Sequence, residues 1–577
     1  MDKIIESLVS DFADEHDLAR LALDKQFERF SNYCVVSVRG TEETFNPEDV
    51  TVEGDEFGID GLAVQINGRI VTDPDEIDGL AEQNGYLEVV FFFVQAKTSE
   101  KFSTSAVELM GRAIKDFFAD EANLPQTDFV KRSREIKDEV YRRAKFFKRG
   151  NPALIASYVT TGKWDDQTEI CAAIEGVSAE LDSTRLFDSV VVEPVDASRL
   201  NDLYRRAHDP VETTFEFARK ATMPAGIPGI ESAYVGVVEG TQFLRLIEDG
   251  DGRLRSSLFE DNVRDFQGID NAVNAQMADT VEGADRGRFP VLNNGVTVIA
   301  REVQTVGDSV IVRDYQIVNG CQTANVVHAH RDRALGEEFW VPLKVVATDD
   351  DDLITEIVTA TNSQTAVRPE ELSSRSRFER ALEQYFEAVS KNSEDKGLRY
   401  ERRSRQYVRD AAVVAARVIP RRILVRSYVS FCLDQPHRAT GYVTTLLKQM
   451  GSDHFVEGHR PEPYYTSAHA YYRLGNLFNS GRIDGKYRPA WWYLLMAFRH
   501  LALDGEPLAA ANSPKVAKQM DGINKTLNDD SKAVAAFEQA VALFDSVLGD
   551  SLDRDVLRGE RPAERLRDAL DHATLAA

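Results

Sequence analysis

The stretch Val89-Val90-Phe91-Phe92-Phe93-Val94-Gln95-Ala96-Lys97-Thr98-Ser99 runs apolar for six residues and then stops at Gln-Ala-Lys. In an extended chain Val89, Phe91 and Phe93 share one face and Val90, Phe92 and Val94 the other, so neither face is polar. A strand with two apolar faces lies in the middle of a sheet covered on both sides, which predicts an α/β domain around it. The same alternation sets Gln95 and Lys97 side by side where the strand ends. A lysine beside a buried sheet end is costly unless its charge is used, or unless its stem simply carries it to solvent.

Working outward, the 577 residues, 43% of them hydrophobic, suffice for about three domains at roughly 100–200 residues each. The four cysteines form no CxxC pair, which argues against a disulfide framework or zinc knuckle and fits a reducing cytoplasm. The acidic start MDKIIESLVSDFADEHDL is unlike a signal peptide, and no apolar run approaches the ~20 residues of a bilayer span, so a cytoplasmic protein without a membrane role is expected. A net charge of -26 argues against a protein that coats nucleic acid without specificity. It leaves room for local basic surfaces: residues 131–149, with Arg142, Arg143 and Lys145, and residues 397–410, with Arg402 and Arg403, are candidate phosphate contacts, against the alternative of solvated helix faces. No GxxxxGK[ST] loop is present, so any translocation falls to a partner such as a helicase.

The apolar spacing predicts helix over residues 1–34 and extended segments around Gly58–Ile66 and Tyr86–Lys97. A helix at 104–119 and the basic helix follow, then a strand near 152–162, a helix near 167–180, a strand near 187–195 and a helix near 197–207. Together these form an α/β domain over 1–210. Strands dominate from about 230 to 350, with a helix after Cys321, giving a central α+β domain over 211–435. Asn293-Asn294-Gly295 reads as a hairpin turn between two strands. The pattern is nearly all helical beyond 352, and 436–577 is expected to be a helical C-terminal region.

Three positions of the first domain line up with Lys97. Asp60 sits on a short apolar strand just before a glycine, Gln95 shares the Lys97 face, and Glu28 lies on the preceding helix. A carboxylate and a second oxygen donor hold Mg²⁺ or Mn²⁺, and a lysine orients or deprotonates the attacking water. Glu88 is an odd number of residues from Gln95 and faces the other way. Glu28, Asp60 and Gln95-Ala96-Lys97 in this helix-strand-strand context resemble the PD-(D/E)xK nuclease superfamily, and the glutamine variant is similar to that of Mrr-like restriction endonucleases. The resemblance implies a restriction-endonuclease-like N-terminal domain, a metal-dependent endonuclease with Glu28, Asp60, Gln95 and Lys97 catalytic and with Asp60 and Gln95 on the metal. The long gap between Asp60 and Gln95 and the neutral glutamine depart from the pattern.

The segments SLFEDNVRDFQG (257–268), FPVLNNGVTVIA (289–300), YQIVNGCQTANVV (315–327), TATNSQTAV (359–367) and LRYERRSRQY (398–407) resemble the AIPR family, named for abortive infection phage resistance. That resemblance implies anti-phage defence, commonly with a nuclease domain at the N-terminus. Within it, Asn319, Gln322, Thr323 and Asn325 gather where a strand runs into a helix, a place suited to a phosphate or base edge, although capping alone also explains such residues. The expectation is a defence nuclease acting on nucleic acid, DNA ahead of RNA, with a central recognition or regulatory domain and a helicase or other defence protein as partner, assembled as a homo-oligomer. The alternative is a nucleic-acid- or nucleotide-binding sensor whose nuclease fold is inactive.

Overall fold

The computed structural model describes residues 2–37, 44–52, 54, 58–147, 150–208, 212–248, 252, 254–259, 272–283, 286–335, 339–362, 369–391, 397–402, 406–407, 413–549 and 552–575. Arg403 and most of the segments 257–268 and 359–367 lie outside them. Packing divides the chain into two units, one of Met1–Ile5, Ser31–Thr72 and Ile77–Pro369, the other of Glu6–Phe30, Asp73–Glu76 and Glu370–Ala577.

The first unit holds two sheets. Strands β1 (Gly61–Ile66), β2 (Arg69–Ile70), β3 (Val89–Lys97), β4 (Ala153–Thr160) and β5 (Ser189–Val195) lie in the order β2-β1-β3-β4-β5. β1 runs antiparallel to β2 and β3, whereas β3, β4 and β5 are parallel. Two central residues with positive φ, Asn67 and Gly68, turn β1 into β2 in the way an Asn-Gly hairpin requires. β3 is buried from Val89 through Ala96 and emerges at Lys97, as its two apolar faces demand. Phe91 packs edge-on against Phe118 and Phe93 against Phe117, at 5.0 and 5.3 Å between ring centroids, and both partners lie on the helix Thr104–Phe118 that follows β3. Burying each such phenylalanine contributes on the order of 2–3 kcal/mol.

The second sheet comprises β6 (Glu212–Glu216), β7 (Arg219–Thr222), β8 (Ser232–Glu239), β9 (Val296–Val306), β10 (Ser309–Asn319) and β11 (Trp340–Ala347), in the order β6-β10-β9-β11-β8-β7. All its pairings are antiparallel except β9 with β11. Two sequence expectations are corrected here. Residues 289–292 form a helical turn rather than a strand, and the Asn293 amide donates back to the Phe289 carbonyl at 3.1 Å, so Asn293-Asn294-Gly295 closes that turn and makes no hairpin. Pro290 at the start of the turn favours helix, and the hairpin of this sheet is instead Gly307-Asp308, between β9 and β10. The helix expected over 1–34 is two helices, Lys3–Glu15 and Leu23–Ser37, broken where Asp17 takes a left-handed conformation at φ 56°.

The second unit is helical apart from the short parallel pair β12 (Arg399–Glu401) and β13 (Val418–Pro420). Helices Arg421–Leu433, Glu462–Asn479, Trp491–Ala502, Pro514–Asn528, Asp530–Leu548 and Glu560–Leu575 enclose a core in which Phe498 stacks on Phe537 at 4.3 Å. This unit also takes in the acidic segment Asp73–Glu76: fully buried Asp73 pairs with Arg554, and Asp75 pairs with Arg558. Among the described residues no helix is long and apolar enough to cross a membrane.

Candidate functional site

The β1–β3 register, with Gly61 opposite Val94, continues to set Asp60 opposite Gln95, and residues directly opposite share a face. Asp60 is fixed by its backbone first. Its N–H donates to Val94 O at 2.8 Å, and its carbonyl accepts from Val52 N at 3.1 Å and from the Asn32 side-chain amide at 2.8 Å. Asn32 is fully buried and also donates to Thr51 Oγ1 at 3.1 Å. Gly61 makes room for it, since a Cβ there would stand 2.3 Å from Asn32 Oδ1.

Backbone placement then brings the side chains together. Asp60 Oδ2 accepts a hydrogen bond from Ala96 N at 2.8 Å and lies 3.5 Å from Lys97 Nζ. The Asp60 carboxylate is largely shielded at 16% exposure while the lysine head, at 45%, meets solvent, so this pair contributes little to stability. Gln95 is buried, and its Oε1 has no hydrogen-bond partner. A buried amide oxygen without a donor costs about 1–3 kcal/mol, and a cation near it offsets that cost. Gln95 Oε1 and the Asp60 carboxylate are hard oxygen donors of the kind Mg²⁺ or Mn²⁺ takes, so the residues fit such an ion as two ligands. Among the described residues no three His, Cys, Asp or Glu side chains come together as a metal set.

Glu28, the basic-helix residues and Arg402 each hold a partner of their own. Glu28 belongs to the second unit, and its carboxylate takes the Lys25 ammonium at 2.7 and 2.9 Å. On the basic helix Asp128–Arg142 and just beyond it, Arg142 pairs with Glu139, Arg143 reaches both Glu139 at 3.0 Å and Asp78 at 2.5 Å, and Lys145 lies over the Phe146 ring at 4.9 Å. The Arg143 guanidinium holds the Asp78 carboxyl below the usual carboxylate range. Arg402, in the second unit, pairs with Glu383 at 2.9 Å with both side chains largely buried.

At the strand-to-helix turn, β10 ends at Asn319, Gly320 takes φ 102°, and the helix Cys321–Ala329 follows. The Asn319 amide donates to Thr361 O at 2.6 Å, buried Thr323 contacts Met277 Sδ at 3.9 Å, and buried Asn325 donates to Cys321 O at 2.9 Å. Gln322 stands partly exposed on the first turn. The profile of the AIPR protein family matches residues 259–547, half of the chain.

The chain belongs to the AIPR family. Membership points to anti-phage defence by abortive infection. No curated protein and no solved structure matches the chain. The AIPR match takes in the turn at Asn319, the β12–β13 pair and most of the helical unit, and it leaves out Asp60, Gln95 and Lys97. Asn32 is the residue that sequence reasoning missed: the Gly61 that makes room for it is visible in the chain, but nothing in the pattern links position 61 to position 32.

Proposed function

We propose that this AIPR protein is a defence nuclease whose N-terminal domain hydrolyses phosphodiester bonds of nucleic acid, DNA ahead of RNA, at Asp60, Gln95 and Lys97. The observation that carries the reading is the approach of Lys97 Nζ to Asp60 Oδ2 at 3.5 Å at the end of a central strand, on the face that the register shares with buried Gln95. The mixed sheet, with an antiparallel β1–β3 pair followed by parallel β4, supports the same restriction-endonuclease-like reading.

Asp60 and Gln95 would hold Mg²⁺ or Mn²⁺, which when bound supplies charge neutralisation at the scissile phosphate and a more acidic water. Lys97, with its head in solvent, orients that water and offsets the charge developing on the phosphate. Asn32 fixes the Asp60 backbone, so the carboxylate meets the lysine without searching. The central AIPR sheet domain is the recognition or regulatory part of this reading, with Gln322, on the first turn of its helix, as a candidate contact. Asn319 and Thr323 bond to neighbouring helices, at Thr361 O and Met277 Sδ, and Asn325 bonds within its own helix.

One observation favours a second reading, a binding protein with an inert nuclease fold: among the described residues a single carboxylate, that of Asp60, pairs with Lys97. Incubating supercoiled plasmid with the full chain, with and without Mg²⁺ or Mn²⁺, separates the two. Cleavage that needs the metal and falls at least a hundredfold in Lys97→Ala and in Asp60→Ala, with thermal midpoints unchanged, is the expected result. Binding of the plasmid without any cleavage by the wild-type chain favours the inert fold.

A further inference from the structure

The helical unit contains a cleft of about 500 Å³ that the proposed nuclease chemistry does not use. It opens between the C-terminal end of the helix Arg421–Leu433, the end of Trp491–Ala502 and the loop Gly505–Ala511. Tyr428, Asp434, Arg499, His500, Leu508 and Arg567 line it. The volume falls in the range of small-ligand sites, roughly 300–1,000 Å³.

The walls are fixed in advance. Asp434, which ends its helix in a left-handed conformation at φ 55°, accepts at one carboxylate oxygen from both Arg499 and His500, the latter at 2.9 Å. Arg499 also donates to Phe431 O at 2.9 Å. The loop is pinned by Gln519, whose amide accepts from Ala509 N at 2.9 Å and donates to Pro507 O at 3.1 Å, and by Arg460 N, which donates to Ala511 O at 2.9 Å. Tyr428 is stacked on Tyr464 at 4.0 Å.

Within this frame the charges do not balance locally. Asp434 is shared by Arg499 and His500, and Glu506 is taken by Lys515 at 2.6 Å. Arg567 forms no ion pair among the described residues: its guanidinium donates once, to Asp434 O at 2.9 Å, and its Nε is buried with no partner. A buried, unpaired N–H on a permanently charged group is expensive, and it is one arm of the fork that matches an oxyanion bidentately.

We propose that this cleft binds a small molecule bearing one oxyanion, a phosphomonoester or a carboxylate, seated on Arg567, with an apolar or aromatic body along Tyr428, Pro463 and Leu508. The test is isothermal titration calorimetry on the full chain with phenyl phosphate, phenylacetate and neutral 2-phenylethanol. One-to-one binding of at least one of the two anions, with the alcohol at least tenfold weaker, is expected. Phenyl phosphate alone binding identifies a phosphomonoester site, phenylacetate alone a carboxylate site, and both together the shared oxyanion site. Arg567→Gln should weaken the anion at least tenfold. Ala510→Phe, which leaves Arg567 untouched and fills the cleft from an exposed loop, should do the same with circular dichroism unchanged. Absence of anion binding by the wild-type chain, or binding unchanged in either variant, overturns the proposal.

Discussion

Gln95 is the residue on which the candidate chemistry turns, because it offers a neutral oxygen where a second carboxylate would bind a divalent cation more tightly. Gln95→Glu is expected to lower the Mg²⁺ concentration for half-maximal plasmid cleavage several-fold, as a charged ligand replaces an amide. A metal titration of the cleavage rate checks this, and an unchanged midpoint removes Gln95 from the metal site. Period-two alternation on β3 was enough to pair Gln95 with Lys97, since side-chain direction in a strand is a local property. The meeting of Asp60 with Lys97 followed from residue chemistry alone, and the register of β1 on β3 gives it a geometry. Asn32 was illegible because its bond to the Asp60 carbonyl joins residues 28 positions apart, and a buried asparagine has no periodic signature.

At the level of elements, turn chemistry was read in the wrong place. Two of the four Asn-Gly dipeptides make the point: 67–68 forms the β1–β2 hairpin, and 294–295 follows a helical turn. The dipeptide supplies positive φ in both, and only the flanking pattern decides what the turn joins. At Gly320 conformation and space coincide: φ is 102°, and a Cβ would stand 2.6 Å from Val296 Cγ2. Gly320→Ala should therefore cost about 1–3 kcal/mol in urea unfolding, leaving metal-dependent cleavage by the folded fraction intact. On the basic helix, Arg142 and Arg143 already hold carboxylates, so a nucleic acid must compete for them. Reversing Arg142, Arg143 and Lys145 to glutamate should weaken DNA binding and reduce the slope of log K against log salt by roughly one for each phosphate no longer neutralised. Unchanged binding across salt concentrations assigns the helix end to intramolecular pairing alone.

At the scale of the whole molecule, α/β character and a helical C-terminal region were legible from element order, whereas the drawing of Glu6–Phe30 and Asp73–Glu76 into the helical unit was not. No local pattern marks Asp73 as the partner of Arg554, 481 residues away. The helical unit also carries an acid sensitivity. Burial pushes His454 and His469 down to about 4. Unfolded, each takes a proton near pH 6.5, so stability is full above that value and falls as pH drops toward 4, by on the order of 3 kcal/mol per histidine. Thermal midpoints measured between pH 7.5 and 4 should show this decline, and His469→Gln should flatten it.

The discontinuous second unit has a consequence for the nascent chain. Val9, Phe12, Leu18 and Phe27, buried in the finished protein, leave the ribosome well before the later helices of their own unit. At roughly 5–20 residues per second, Asp73 waits from about 25 to about 100 s for Arg554 to emerge. Throughout translation the cell therefore holds an N-terminal region with an unburied apolar helix face and an unpaired acidic loop, a species for chaperones to shield. Every residue of the first unit, up to Pro369, emerges before the helices that complete the second.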